Sequence, residues 1–387
     1  MRQILILKKN LAPKLRTSSL SQPTYNFCAG PAALPRVVLE QAQRELLDWQ
    51  GLGVSVMEIS HRSAEYQAMA NKAEANFREL MNIGDEHAVL FLHGGASMQF
   101  SNIPMALLQH HSSDKKRRAD YLCNGIWSSK AAKEATRFGN VNVVDMVEID
   151  EQGNRRLIEF TECQISSSPV YTHYTPNETI EGLRYACMPK SSAPTVVDLS
   201  SCILSEQINV DDFDLIYAGA QKNIGPAGMT IVIVKRSLFE KMKFNTSPNT
   251  FNYQQQAKQG SMINTPATYT WYLASLVFEW LLEQGGVAQM EKRAIEKSEI
   301  LYRCIDEDDF YRNPVAVKDR SRMNIPFILK DESLNELFLE QTKHANLVGL
   351  KGHRSIGGMR ASLYNSMPVE GVKALTHFMD EFKIRHG

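Results

Sequence analysis

Five short apolar runs, at residues 88–92, 141–144, 195–197, 215–218 and 230–234, are set among segments long enough to form helices. Runs that short and that uniformly apolar are strands buried on both faces. Helix-length connections carry the chain back to the same edge, so the pattern predicts an α/β fold with a mostly parallel sheet covered by helices. The last run follows its predecessor across a short stretch holding Gly219, Gly225 and Gly228, too little chain for a helical crossover. That strand is expected to run antiparallel. Ahead of the sheet, Val38, Ala42, Leu46 and Trp49 predict one helix ending at Gly51, and Met69, Ala73, Phe77, Leu80 and Met81 a second before Gly84. Beyond a long helix that stops at Gly285 and Gly286, the pattern reads helix 287–305, strand 323–329, helix 332–345, strand 359–363 and helix 369–384, a smaller α+β unit. The expected division is a large domain at 36–283 and a small one from 24–35 and 284–387.

Composition removes several function classes. Forty-three Lys and Arg balance 43 Asp and Glu, so there is no basic field to hold nucleic acid. The longest apolar stretch, 271–282, is broken by Ser275 and Glu279 and falls short of the ~20 residues a membrane helix needs. The six cysteines show no C-x-x-C and the ten histidines no H-E-x-x-H, so neither a disulfide framework nor a metal site is expected. Residues 1–23 carry Arg2, Lys8, Lys9, Lys14 and Arg16 and no acid. They read as a disordered extension or as an organellar transit peptide on an otherwise cytoplasmic protein.

Ligands of open parallel sheets bind beyond the carboxyl ends of the strands, and several ends here are chemically loaded. His93-Gly94-Gly95-Ala96-Ser97 leaves a strand and opens a helix, where small residues and free amides suit an anion. Thr195-Val-Val-Asp198 delivers a carboxylate, which also serves as a cap or turn former elsewhere. Ala218-Gly-Ala-Gln221-Lys222 places a lysine just past the next strand. An anion cradle, a carboxylate and an amine at strand ends of one sheet together match what pyridoxal phosphate requires of a protein. Trp127, after Asn124-Gly125, suits stacking on a flat ring or filling core, and Thr179 suits a ring substituent or a cap. His61-Arg62 and His353-Arg354, with Arg360 close behind, repeat a His-Arg pair that fits a doubly anionic substrate.

Five strings carry a resemblance: Asn26-Phe-Cys-Ala-Gly30-Pro31, Gly53-Val-Ser-Val-Met-Glu58-Ile-Ser60-His61-Arg62, Ala218-Gly-Ala-Gln221-Lys222-Asn223-Ile-Gly225-Pro-Ala-Gly228, Asn264-Thr265-Pro266 and Leu350-Lys-Gly-His353-Arg354-Ser-Ile-Gly-Gly-Met-Arg360. They are similar to those of the phosphoserine aminotransferase family, class V enzymes of pyridoxal 5′-phosphate fold type I, over residues 25–387. The resemblance implies that Lys222 holds the cofactor's aldehyde, Asp198 its ring nitrogen, Trp127 its ring face and Thr179 its ring oxygen. Ala96, Ser97 and Gln221 would hold the phosphate, joined by Asn264 and Thr265 from the second subunit of a homodimer. Arg360 would take the substrate α-carboxylate, and His61, Arg62, His353 and Arg354 its distal anion. The implied reaction exchanges O-phospho-L-serine and 2-oxoglutarate for 3-phosphooxypyruvate and glutamate in serine biosynthesis, and in bacteria also serves pyridoxine synthesis through 4-phosphonooxy-L-threonine. The alternatives are another class V enzyme, acting on a neutral amino acid or desulfurating cysteine, and a catalytically silent cofactor-binding protein.

Overall fold

The computed structural model describes residues 23–111, 113–114, 117–187, 191–244 and 247–387, so the expected extension lies outside the described residues except for Pro23. Seven strands form the main sheet in the order His87–His93, Met229–Lys235, Leu215–Gly219, Thr195–Asp198, Thr172–Tyr174, Arg118–Cys123, Asn140–Asp145. Only Met229–Lys235 runs against the rest, pairing antiparallel with both neighbours. The short glycine-bearing connection before it leaves no room for a crossover, as the sequence predicts. Six strands therefore end at one edge of the sheet.

Alternation within each strand feeds two cores. Val89, Phe91, Val197, Ile216, Ala218, Ile231 and Ile233 face one side, where Ala64–Met81 and Thr268–Glu283 pack. Leu90, Val196, Leu215, Tyr217, Val232 and Val234 face the other, under Ala96–Leu107 and Ile126–Ala135. Period-2 burial of this kind requires cover on both faces, and the helices between strands supply it. A third core gathers Phe27, Phe327, Phe338 and Phe382 around the strands Asn324–Leu329 and Met359–Ser362 and the helix Val369–His386. The helix Gly286–Ile305 enters two of these cores, with Met290 and Ala294 in the first and Leu301 and Ile305 in the third.

One element differs from its expected extent. The first helix spans Arg36–Glu45 and buries Val38 and Ala42, but Leu46 lies outside it and is exposed. Trp49 still reaches the core, through a 3₁₀ turn, Trp49–Gly51, in which Gln50 adopts φ 55°. A continuous helix would satisfy the 3.6-residue period only by leaving Leu46 buried as well; the turn buries the larger indole alone. Among the described residues, no helix is long and apolar enough to cross a membrane.

Candidate active site at the carboxyl edge of the sheet

One cavity at the carboxyl edge is lined by Ala96, Ser97, Trp127, Thr179, Asp198, Gln221 and Lys222, brought there by five strands. Lys222 sits in the tight turn after Leu215–Gly219, pinned by its own N–H to the Ala220 carbonyl at 2.8 Å. Its side chain is buried, and Nζ donates to Thr179 Oγ1 at 2.7 Å. Burial lowers the Lys222 pKa to about 8, against the opposing pull of Asp198 and Glu178. A neutral amine, able to act as nucleophile or base, is thus accessible near physiological pH. Gly30 packs on this lysine at φ 146°, a backbone conformation that L side chains rarely adopt.

Asp198 ends its strand with the carboxyl buried, and Oδ1 accepts from the Ser200 N–H at 2.9 Å. Ser200 Oγ in turn accepts from the Gly219 N–H at 3.0 Å, tying the aspartate to the neighbouring strand end. Burial raises the Asp198 pKa, while the Ser200 hydrogen bonds and Lys222 oppose the rise. Behind it, Tyr217 Oη and His173 Nε2 are 2.8 Å apart, and burial holds His173 neutral with a pKa of about 3.

Trp127 lies in the first turn of Ile126–Ala135, with its Nε1 buried and without a partner among the described residues. Lys130 Nζ is 4.4 Å from the centre of its ring. Ala96 and Ser97 open the helix Ala96–Leu107, and its cap residue Gly95 brings no side chain to cover the first amides. Beyond Thr179, whose carbonyl accepts from Arg360 Nη1 at 3.2 Å, the half-buried guanidinium keeps an Nε with no partner among the described residues. His353 stands nearby, with Nδ1 2.6 Å from Ser355 Oγ. Burial and the charges of Arg360, Arg354 and Lys130 lower its pKa. Three cations that all act on one imidazole form a mouth that favours anions. A buried amine, a buried carboxylate, an orphaned indole N–H and a bare helix terminus fit a flat, phosphorylated aldehyde.

Four expected residues lie elsewhere in the single chain. Asn264 and Thr265 are exposed and meet His93, whose Nε2 is 3.4 Å from Asn264 Nδ2 and 3.1 Å from the Thr265 carbonyl. His61 and Arg62 occupy the loop before Ala64–Met81, where the His61 carbonyl accepts from Gln67 Nε2 at 2.6 Å. None of the four lines the Lys222 cavity. Sequence reasoning missed Ser200, His173, Tyr217, Glu178 and Glu181, which surround the expected residues. The two glutamates on either side of Thr179 were the readable signal, since carboxyls in a stretch that must be buried demand a structural reason.

Residues 24–375 match the family model for class-V aminotransferases. The phosphoserine aminotransferase of Acinetobacter baumannii is 56% identical over 364 residues, covering 94% of this chain and 99% of its own. The phosphoserine aminotransferase structure from Bacillus circulans subsp. alkalophilus superposes with a TM-score of 0.88 at 41% identity, covering 95% of this chain and 100% of that one. A pyridoxal-phosphate-bound phosphoserine aminotransferase structure from Trichomonas vaginalis gives 0.85 at 36% identity, covering 92% and 99%. Agreement of this extent, in sequence and in backbone, means that the chain belongs to the class-V aminotransferases and, within them, to the phosphoserine aminotransferase family.

Proposed function

We propose that this protein transfers the amino group of O-phospho-L-serine to 2-oxoglutarate, giving 3-phosphooxypyruvate and L-glutamate, with pyridoxal 5′-phosphate as cofactor. The observation that carries the reading is the buried Lys222 amine, hydrogen-bonded to Thr179 and subject to the charge of Asp198, with Arg360 one hydrogen bond further on. When bound, pyridoxal phosphate supplies an aldehyde for the amino group and a ring that drains charge from the substrate α-carbon. Lys222 Nζ would hold that aldehyde at rest and, once released by the incoming amine, would be free to carry the α-proton as base and acid. Asp198 would keep the ring nitrogen protonated, Trp127 would cover the ring, and Thr179 would donate to its oxygen. Ala96, Ser97 and Gln221 hold the phosphate. Arg360 takes the α-carboxylate, and His61, Arg62, His353 and Arg354 take the second anion.

The desulfurase alternative needs a reactive thiol, and Cys304, inside the helix Gly286–Ile305, has its pKa pushed up to about 12 by burial and Asp380. The division into a large domain at 36–283 and a small one at 24–35 and 284–387 is supported by the separate third core. A cytoplasmic site of action and use of the same activity in pyridoxine synthesis are part of this reading.

Adding O-phospho-L-serine to the loaded protein without a keto acid should change its visible spectrum and release one equivalent of 3-phosphooxypyruvate per site. Arg354→Leu should lower kcat/KM for phosphoserine by roughly ten- to a hundredfold, the worth of hydrogen bonds to a charged group, and leave alanine nearly unaffected. Equal losses on both donors would make Arg354 structural, and no released keto acid would overturn the reading.

We further propose a homodimer in which Asn264 and Thr265 of the partner subunit complete the phosphate cradle. Their exposure in the single chain supports this. Mixing Lys222→Ala subunits with subunits carrying Thr265→Glu, each inactive alone, should restore one working site per heterodimer; no rescue would mean that each site is built within one chain.

A further inference from the structure

Two carboxyl groups meet at the start of the helix that carries Trp127. Glu178 and Glu181 flank Thr179, and both are buried. Glu178 Oε1 accepts from the Ser128 N–H at 2.8 Å and from Ser128 Oγ at 2.9 Å, while Glu181 Oε1 accepts from the Ile126 N–H at 3.1 Å. Together they cap the first turn of Ile126–Ala135, the turn that carries Trp127. The other oxygen of each, Oε2, is buried and has no hydrogen-bond partner among the described residues. A Cβ placed on Gly125 would lie 2.7 Å from the carboxyl carbon of both, so the two groups face each other across that glycine. Two acceptor oxygens in such a space are both satisfied by one proton held between them, whereas two bare charges would repel with little water to screen them.

On the reading of Trp127 and Thr179 as cofactor contacts, we propose that Glu178 and Glu181 are positioning residues, a one-proton carboxyl dyad that locks the indole to the Thr179 hydroxyl and slackens the cofactor grip when the proton leaves. The dyad couples the elements concerned: its Oε1 atoms hold the Trp127 turn, and its backbone brackets the threonine that meets Lys222 and Arg360. Cys123, Tyr185, Asp198, Lys222, Arg155 and Arg360 also face it. Burial keeps Cys123 and Tyr185 protonated and neutral. Asp198 repels a second negative charge, Arg155, Arg360 and, below its own pKa of about 8, Lys222 favour it, and among the described residues none of the three is in an ion pair with either glutamate. Burial, followed by the charge of Glu181, wins and raises the Glu178 pKa to about 8. Glu181 also lines an outer groove with Lys130 and Arg155, which gives the proton a route to solvent.

A carboxyl whose folded pKa is raised holds its proton in the folded chain after the unfolded chain has lost it. Stability is therefore full below the ordinary value of 4.5 and declines as pH rises toward about 8, and grip declines with it because the bound cofactor, on this proposal, favours the protonated dyad. Glu178→Gln makes a permanent copy of the protonated state: its carbonyl still accepts from Ser128 and its amide donates to Glu181 Oε2. Measured from about pH 6 to about pH 9, the wild type should lose cofactor affinity by about tenfold more than Glu178→Gln, the equivalent of one pKa unit. Its apoprotein melting temperature should fall relative to the variant over the same range. An infrared band from a buried protonated carboxyl should be present in wild type at the lower pH and disappear on titration. Parallel profiles for the two proteins would overturn the dyad. If Glu178→Gln does not fold, absence of the infrared band overturns it equally. Should borohydride fail to fix the cofactor to Lys222, the functional reading fails while the band and the wild-type melting profile still decide on the dyad.

Discussion

Replacing Lys222 by alanine is expected to abolish turnover, by at least about 10⁴-fold, because in the proposed mechanism one side chain supplies both the covalent anchor and the proton carrier. The fold should survive. Lys222 makes one side-chain hydrogen bond, to Thr179, and the turn that presents it is held by backbone bonds from Lys222 and Gly225 to Ala220. The cofactor should still bind, through the phosphate cradle and Trp127. Borohydride reduction followed by peptide mapping should label Lys222 in the wild type and no lysine in the variant; a label on any other lysine would sink the assignment. A second readout is independent of catalysis. Because burial lowers the Lys222 pKa from 10.5 to about 8, the unfolded chain binds this proton more tightly than the folded one between those values. The stability of the wild-type apoprotein therefore gains from rising pH across that window, and the alanine variant should lack the gain.

How much of this could be read from residues alone depends on whether the signal was local. The edge at which the site forms was legible, because buried strands are short apolar runs and the residues just past them have no packing reason to be Asp198 or Lys222. The reversed strand was legible from the length of one connection. The end of the first helix was not, since Leu46 and Trp49 fit its period equally well and only tertiary space decides that the indole is buried and the leucine left out. The cations at the mouth were visible as residue types, but which of them join Arg360 depends on how the loop at 353–358 folds back. His173 and Tyr217 read as ordinary members of buried strands, and nothing in their spacing announces that they stand behind Asp198. Glu178 and Glu181 carry the opposite lesson. Two carboxyls bracketing Thr179 were in plain view, yet their partner is a helix terminus some fifty positions earlier in the chain, a pairing that only the folded strand order creates.

Converting Asp198 to asparagine should lower turnover by about 10²-fold or more, the typical cost of removing one preorganised group that stabilises charge in the transition state. The amide retains an oxygen to accept from the Ser200 N–H, so the strand end should keep its geometry and the loss can be assigned to charge. Stability should respond in the opposite direction. Burial raises the Asp198 pKa in the free protein, so the folded chain holds the proton longer than the unfolded one, and above that raised value the charged carboxylate imposes a constant penalty. In the proposed mechanism Asp198 would face a protonated ring nitrogen that offsets the penalty, which would make the aspartate costly to the empty protein and favourable to the loaded one. Asp198→Asn should therefore melt no earlier than wild type without cofactor, and should gain less than wild type when cofactor is added. Turnover within a few-fold of wild type, or an equal cofactor-induced rise in melting temperature for both proteins, would reduce Asp198 to a cap on the Ser200 turn.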